Sequence, residues 1–376
     1  MDFEPTPEQK VLRESVERFA EGLTRPAGAD VDPARGKSAF PAGVLDQLRA
    51  MRLMGVVAPP EEGGGGRDHV SYALTLMAIT EKSVPTGALL FVNNSLYLHA
   101  LLSYGTAEQK TRYLRPCCDG DGTGTAVAGY PFEDPGEIRM RAVRNGRGWV
   151  LAGEQLLAGE SILPSHAVLP AVTDEGPEIS LFLLDLRDTA GLRLTREEGG
   201  RRRSRLVAED AVLQAEALLG TQGKGMNSMM ESLPYLWVGG AAHAVGIGRS
   251  VLKRAVEYSL AAKRRGKAVF SSAAVQWSLA DMATELDAAE VLVLRAAWLL
   301  DRKKPCEKEA AMAKLYASDA ALKAAVNGGQ VMGEEGLDEP LGDLLRDAER
   351  SRIEQGNNMR IKGYITGRLV RELKGT

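Results

Sequence analysis

The four residues Asp119-Gly120-Asp121-Gly122 mark the change of pattern that decides the fold of this 376-residue chain. Before them, apolar residues recur at helical spacing. After them the spacing falls to about two residues, and Gly, Thr and Val replace Leu and Glu. Helical spacing returns from Leu233 onward. The sequence therefore predicts an α+β protein with an N-terminal helical domain (1–118), a middle β-domain (119–232) and a C-terminal helical domain (233–376).

The N-terminal part of the sequence carries clear signals for where helices start and stop. Thr6 and Gln9 form a capping-box pattern at the start of an apolar stripe. Gly105 predicts the end of a long helix, and Thr106 the start of the next. Four consecutive glycines, Gly63 to Gly66, predict a flexible surface loop. Further helical stretches are expected around Leu48 and over residues 72–80 and 88–104, with a break over residues 26–41.

Composition excludes several classes of protein. The chain has 47 Lys and Arg against 50 Asp and Glu, a formal net charge of -3, and no extended basic block that would bind nucleic acid. It contains no apolar run long enough for membrane insertion and no signal-peptide pattern, so we expect a cytoplasmic protein. Cys117, Cys118 and Cys306 have neither disulfide-framework nor metal-ligand spacing. The four histidines are too scattered to form a metal site, and none is predicted.

Several short motifs, taken in their order and spacing, are similar to those of the acyl-CoA dehydrogenase family along essentially the whole chain. They are residues 57–64 (VAPPEEGG), 93–96 (NNSL), 104–110 (YGTAEQK), 218–225 (LLGTQGKG), 279–282 (LADM), 310–315 (AAMAKL) and 346–348 (RDA). This resemblance implies a middle β-barrel or β-sandwich and a C-terminal four-helix bundle. It also implies FAD as cofactor and an acyl-CoA thioester as substrate, with a carboxylate base removing the α proton and the flavin N5 taking the β hydride.

The family's usual base is the Glu of an E-G-T triplet after R-D-A, and Gln355 occupies that slot here. An amide does not accept a proton at neutral pH, whereas a shielded carboxylate does. Glu354 is the weak alternative, because it is one residue out of register and its side chain points elsewhere. Some relatives place the base on the first C-terminal helix. Counting back from Gly246 puts Leu236 and Trp237 there, so that slot is also empty.

The positions that contact the flavin ring in the family are altered as well. The T-E-P-D-A-G-S-D motif is replaced by Gly129 to Glu137 (GYPFEDPGE), in which the hydroxyl near the ring is missing. The aromatic-I-T/S triplet is replaced by Leu157-Ala158-Gly159. The resemblance therefore implies that a stacking ring and a hydrogen-bond donor to the flavin are lost.

Contacts to the dinucleotide part of FAD are changed in three places. In the R-x-x-F-G slot Ala262 replaces the Arg and Arg265 the Phe, although the basic residues at 263–265 remain candidates for a pyrophosphate contact. In the Q-x-x-G-G-x-G slot, by contrast, three family residues remain: Gln330, Gly333 and Gly336.

Two further changes affect contacts to the dinucleotide part of FAD. Glu334 replaces a glycine and places a negative charge beside an anionic cofactor. The final Gln slot holds Ile361, for which Asn357 or Asn358 offers replacement hydrogen bonds. Of the residues named in these slots, the expected cofactor contacts are Gln330, Gly333, Gly336, Asn357 and Arg265.

These substitutions favour a catalytically degenerate member with weakened or lost FAD binding. Such a subunit would assemble with itself as a dimer or tetramer, or with an active paralogue. One alternative is a functional FAD-dependent enzyme that acts on a CoA thioester with a non-standard base such as Glu354. Another is a protein that only binds acyl-CoA.

Overall fold

The computed structural model describes residues 6–23, 43–127, 138–146, 148–158, 164–173, 178–196, 203–336 and 341–374. The chain divides into two compact units. The first contains Met1–Thr24, His69–Gly87 and Trp237–Thr376, and the second Arg25–Asp68 and Ala88–Leu236. The order of elements is helices, sheet, helices, which confirms the predicted α+β class. The boundaries of the three predicted domains stay a prediction.

Helices precede the sheet along the chain. The capping box at Thr6 starts the first helix as predicted: Gln9 N donates to Thr6 Oγ1 and Thr6 N to Gln9 Oε1. The α-helices of this part are α1 (Pro7–Glu21), α2 (Val44–Ala50), α3 (His69–Lys82), α4 (Val84–Phe91), α5 (His99–Tyr104), α6 (Ala107–Gln109) and α7 (Arg115–Cys118). Two π-helical segments, Val92–Leu98 and Lys110–Leu114, lie between them. The predicted break over residues 26–41 falls outside the described residues.

The four glycines at 63–66 form a loop as predicted, but its backbone is hydrogen-bonded as a folded turn, so the expected flexibility is wrong. Gly64 N donates to Pro59 O, Gly65 N to Gly55 O and Gly66 N to Ala58 O. A Cβ on Gly64 would lie 2.0 Å from Ala58 O. The glycines are there because the backbone packs against itself too closely for side chains.

The second unit holds an eight-stranded sheet in which seven strands follow the order β6-β7-β3-β2-β4-β5-β8, while β1 pairs with β4. The pairs β1–β4 and β2–β4 are parallel and the others antiparallel. One face is buried around Trp149 and Phe182, whose rings meet edge to face at 5.2 Å. The strands are β1 (Gly124–Ala126), β2 (Arg141–Asn145), β3 (Gly148–Ala158), β4 (His166–Thr173), β5 (Ile179–Asp185), β6 (Leu192–Arg196), β7 (Arg203–Gln214) and β8 (Leu218–Leu219).

Long helices follow the sheet and make up most of the first unit. They pack through alanine-rich faces, of which Ala310, Ala313 and Ala317 are examples with no exposed surface. The elements after the sheet are the short α8 (Gly225–Glu231), which belongs to the second unit, and then α9 (Leu233–Ala261), a hairpin of β9 (Lys263–Arg264) and β10 (Lys267–Ala268), α10 (Ala273–Asp301), α11 (Glu307–Met332), α12 (Leu341–Ile353) and α13 (Asn358–Lys374). None of the helices that the structure describes is both long and apolar enough to cross a membrane.

Candidate active site

The expected base slot lies in the turn that joins α12 to α13. Gln355 has φ 56° and Gly356 φ 99°, so both adopt backbone conformations that favour glycine. For glutamine this conformation costs about 1 kcal/mol or more, and it persists only when surrounding contacts hold it. The side chain of Gln355 is half-buried. The turn therefore presents an amide where the family is expected to present a carboxylate.

Trp237 of α9 is the first contact that holds this turn. Its indole Nε1 donates a 2.9 Å hydrogen bond to the main-chain carbonyl of Gln355. The indole is 2% exposed, and it meets the ring of Tyr364 of α13 edge to face with 5.0 Å between centroids. A buried indole needs a partner for its N–H, and this carbonyl provides one. Trp237 lies where some relatives are expected to place the base. It thus supports the turn that carries the usual base position, Gln355.

Lys314 of α11 is the second contact. Its side chain is 1% exposed. Its ammonium donates to the carbonyl of Gly356 at 2.8 Å, to Asn358 Oδ1 at 2.8 Å and, more weakly, to the carbonyl of Arg352 at 3.5 Å. One cation therefore ties the end of α12, the turn and the start of α13 together.

The surroundings of Lys314 disfavour its charge. Burial lowers the pKa of Lys314 from its usual 10.5 to about 7. The carboxylates of Asp319 and Glu354 oppose this shift by favouring the ammonium, and the guanidinium of Arg352 adds to it. Burial is the largest of these effects because removing a charge from water penalises the charged form.

Glu354, the weak alternative for the base, lies on the same turn and is half-buried. Its carboxylate is close enough to Lys314 to raise the pKa of that amine. Its backbone N–H still donates to the carbonyl of Arg350, so Glu354 continues the last turn of α12. Gln355 and Glu354 therefore share one turn, but their backbones take different conformations.

Asn357 and Asn358 start α13. Asn357 Oδ1 accepts a 2.9 Å hydrogen bond from Met359 N, which is an N-cap contact. Asn358 is buried and bonds to Ser318 Oγ at 3.0 Å and Asp319 Oδ1 at 2.9 Å. The amide oxygen of Asn357 therefore already accepts a hydrogen bond from the protein backbone. This makes Asn357 a weaker candidate for a contact with FAD.

Three predicted cofactor residues come together where α11 ends. Gln330 lies exposed in the last turn, and Gly333 closes the helix with φ 71° and ψ -133°, a conformation open to glycine alone. Gly336 folds back so closely that a Cβ on it would lie 2.8 Å from the carbonyl oxygen of Gly329. We call residues 333–336 the glycine turn.

The hairpin of β9 and β10 supplies a guanidinium to the glycine turn. A Cβ on Gly333 would lie 2.7 Å from Arg264 Nη2. Arg265, the predicted cofactor contact, instead occupies the tip of the hairpin with φ 50° beside Gly266 with φ 80°. The structure thus favours Arg264 over Arg265 as the basic residue at this position.

The glycine turn and Arg264 fit one part of FAD. Bare backbone beside a guanidinium suits an anionic diphosphate, and glycine permits the close approach. Glu334, which is exposed on the turn, opposes that binding by its charge. The residues present therefore match the dinucleotide end of FAD, but with less affinity than a turn without a carboxylate.

The flavin-ring slots are described only in part. Residues 129–137 and Gly159 lie outside the described residues. Leu157 points into the sheet core with no exposed surface, and Ala158 ends β3. An aliphatic core residue thus occupies the place where the family is expected to put an aromatic ring.

The sequence alone indicated no supporting role for Trp237 or Lys314. Trp237 lies in the empty alternative base slot, and Lys314 lies in the motif at residues 310–315. A lysine within the alanine stripe of α11 was a signal for Lys314, since a lysine on a core face needs buried acceptors. Trp237 carried no such signal. Its partner lies 118 residues away along the chain.

Comparison with known proteins identifies the family. Residues 6–121 match the acyl-CoA dehydrogenase N-terminal domain, and residues 223–369 match the acyl-CoA dehydrogenase C-terminal domain. The chain is 32% identical to an acyl-CoA dehydrogenase of Bacillus subtilis (strain 168), with 96% of this chain and 99% of the relative covered. It is 34% identical to the mitochondrial short-chain specific acyl-CoA dehydrogenase of Bos taurus, with 97% and 90% covered.

The fold comparison agrees. The solved structure of butyryl-CoA dehydrogenase from Megasphaera elsdenii matches with a TM-score of 0.89 and 27% identity, with 99% of this chain and 100% of that one covered. Sequence and fold thus agree over nearly the whole length of both chains. The chain therefore belongs to the acyl-CoA dehydrogenase family.

Proposed function

We propose that this chain is a catalytically degenerate subunit of the family. It lacks the base for removal of a thioester α proton and binds FAD, the family's cofactor, weakly. It assembles with itself or with an active paralogue. The observation that supports this proposal is the amide of Gln355 in the base slot, on a turn that Trp237 and Lys314 hold in place.

Gln355 cannot accept the α proton of a thioester. A positioned base contributes roughly two to four orders of magnitude to a rate, and a neutral amide has no basic electron pair at physiological pH. FAD, when bound, would accept the hydride from the thioester. Without an acceptor for the α proton, Gln355 can donate or accept a hydrogen bond but cannot start the reaction.

The residues of the dinucleotide slots support weak binding of FAD rather than complete loss. Gln330, Gly333 and Gly336 are grouped at the end of α11, and the guanidinium of Arg264 lies beside Gly333. Glu334 opposes binding through its negative charge. Asn357 and Arg265 remain weaker candidates for contacts with the cofactor.

Exposed apolar side chains support assembly into an oligomer. On α13, Met359 is 71% and Leu373 88% exposed, and Leu369 and Val370 lie on the same face at 3.6 residues per turn. Exposed Lys362 and Thr366 lie between Met359 and the other three residues on this face, so Leu369, Val370 and Leu373 form the apolar cluster that another protein would cover. A second copy or a paralogue of the same fold would provide the cover.

The proposal is tested by restoring the carboxylate. Gln355→Glu changes an amide into a base at nearly constant volume on a turn that is already held. In anaerobic, FAD-loaded protein, we expect this variant to bleach the visible flavin band with butyryl-CoA roughly 100-fold or more faster than the wild type. Gln355→Met, which has similar volume and no charge, is the matched control and should stay as slow as the wild type.

The same assay distinguishes a degenerate subunit from an active enzyme with a displaced base. If the wild-type chain bleaches at the rate of an active dehydrogenase and Glu354→Gln abolishes it, the chain is an enzyme with a displaced base and the degenerate assignment is wrong. Copurification gives an independent measure. We expect less than one FAD per chain, with either self-association or a second dehydrogenase-like chain.

A further inference from the structure

A hairpin rich in cations lies beside the glycine turn. Lys263 and Arg264 form β9, Lys267 begins β10, and Arg265 occupies the tip. All four side chains are exposed, and none of them forms an ion pair or donates a hydrogen bond to any residue that the structure describes. Four positive charges within five residues repel one another, so this hairpin is not arranged for stability alone.

The pairing of the two strands adds to that repulsion, and the tip of the hairpin adds backbone strain. Arg264 lies directly opposite Lys267 in the ladder, which places two cations on one face of the hairpin. Arg265 adopts φ 50°, which an arginine adopts at a cost. Strain and like-charge repulsion at one surface point to a ligand that offsets them.

The direction of Arg264 identifies the place of that ligand. Its Nη2 lies where a side chain on Gly333 would begin, 2.7 Å from the position of a Cβ. The end of a helix attracts a cation by itself. Within the described structure, however, the Arg264 guanidinium donates no hydrogen bond to the carbonyls of α11, so it does not act as a helix cap.

Strand geometry explains how Arg264 relates to Ala262. Side chains two residues apart along an extended chain lie on the same face. Ala262 continues the ladder, because its carbonyl accepts a hydrogen bond from Val269 N. A guanidinium at 264 thus faces the same way as one at 262 would, displaced by two residues along the strand.

We propose that Arg264 binds the diphosphate of an adenine dinucleotide at the glycine turn and takes over the role of the arginine that is absent at position 262. This inference rests on the proposed weak retention of FAD. It concerns binding alone and involves no chemical step. Lys267, on the same face, adds attraction, and Glu334 on the turn reduces it.

The test measures binding of ADP and FAD to the full-length chain by titration calorimetry, without any thioester. Arg264→Met should weaken ADP binding about tenfold or more, because a charge-assisted hydrogen bond contributes more than a neutral one. Lys263→Met removes the same charge from the opposite face of the hairpin and should weaken ADP binding less than about threefold. Glu334→Gly should strengthen it.

Riboflavin, which has no phosphate, is the control ligand, and its binding should be equal in wild type and Arg264→Met. The unfolding midpoint of each variant, measured without ligand, should stay close to that of the wild type. The inference is overturned if wild-type protein binds neither ADP nor FAD, or if the Lys263 and Arg264 variants lose affinity equally. Neither result supplies a base at position 355, so the absence of the base and the binding of the diphosphate are tested separately.

Discussion

At the scale of single residues, the buried ammonium of Lys314 holds the turn that carries the base slot through hydrogen bonds. It reaches three acceptors on α12, the turn and α13, and the turn carries Gln355 in a conformation that costs energy. The amine is the only charged group in these three contacts. Its protonation therefore bears on how firmly the turn is held.

Lys314 predicts a pH dependence of stability. Its pKa is about 7 when folded and near 10.5 when unfolded, so the unfolded chain binds more protons between these values. Stability should therefore rise with pH from about 7 upward, by at most about 1.4 kcal/mol for each pH unit. Lys314→Met should lack this rise.

Urea unfolding of both proteins between about pH 6 and pH 9 measures the effect. We expect the stability difference between wild type and variant to grow as pH rises, because burial lowers the pKa of Lys314 more than the charges of Asp319, Glu354 and Arg352 change it. Parallel curves for the two proteins would show that Lys314 is not the titrating group.

At the scale of elements, the π-helical segment Val92–Leu98 is pinned by two buried amides. Asn94 Oδ1 accepts from Val56 N at 2.9 Å, and its Nδ2 donates to the carbonyls of Leu90 at 2.9 Å and Leu53 at 3.3 Å. Asn93 connects the same segment to β1 through Gly124 N at 2.8 Å. These side chains satisfy backbone groups that would otherwise be buried without partners.

Asn94→Ala should lower the free energy of unfolding by about 2–4 kcal/mol, because several buried groups lose their partners at once. Asn227→Ala, at an exposed position on α8, is the matched control and should change it by no more than about 0.5 kcal/mol. Chemical denaturation of the two variants measures both effects. Equal stabilities would mean that water or a rearranged backbone replaces the asparagine.

At the scale of the whole molecule, the apolar face of α13 predicts association. Leu369→Glu combined with Leu373→Glu should shift the protein to a smaller species in light scattering, since a charge in a buried interface is costly. Val212→Glu, at a position 62% exposed on β7, should leave the mass unchanged. A wild-type chain that is monomeric and purifies without a partner would contradict the proposed assembly.

The amino-acid sequence alone determined the elements and the change in chemistry. Helix starts such as Thr6 and Thr106, the strands after Gly122 and the return of helices at Leu233 follow from periodicity and capping, which act between residues close in the chain. The amide at Gln355 was equally visible, because a motif fixes its place. The glycines at 63–66 were misjudged, since flexible and tightly packed glycines look the same in sequence.

Tertiary structure decided which residues act on the site. Trp237 reaches Gln355 across 118 residues, Lys314 reaches Gly356 across 42, and Arg264 rather than Arg265 lies over Gly333. These contacts depend on how helices pack and which way a hairpin faces. Neither is a local property, because burial and direction arise only when distant segments meet.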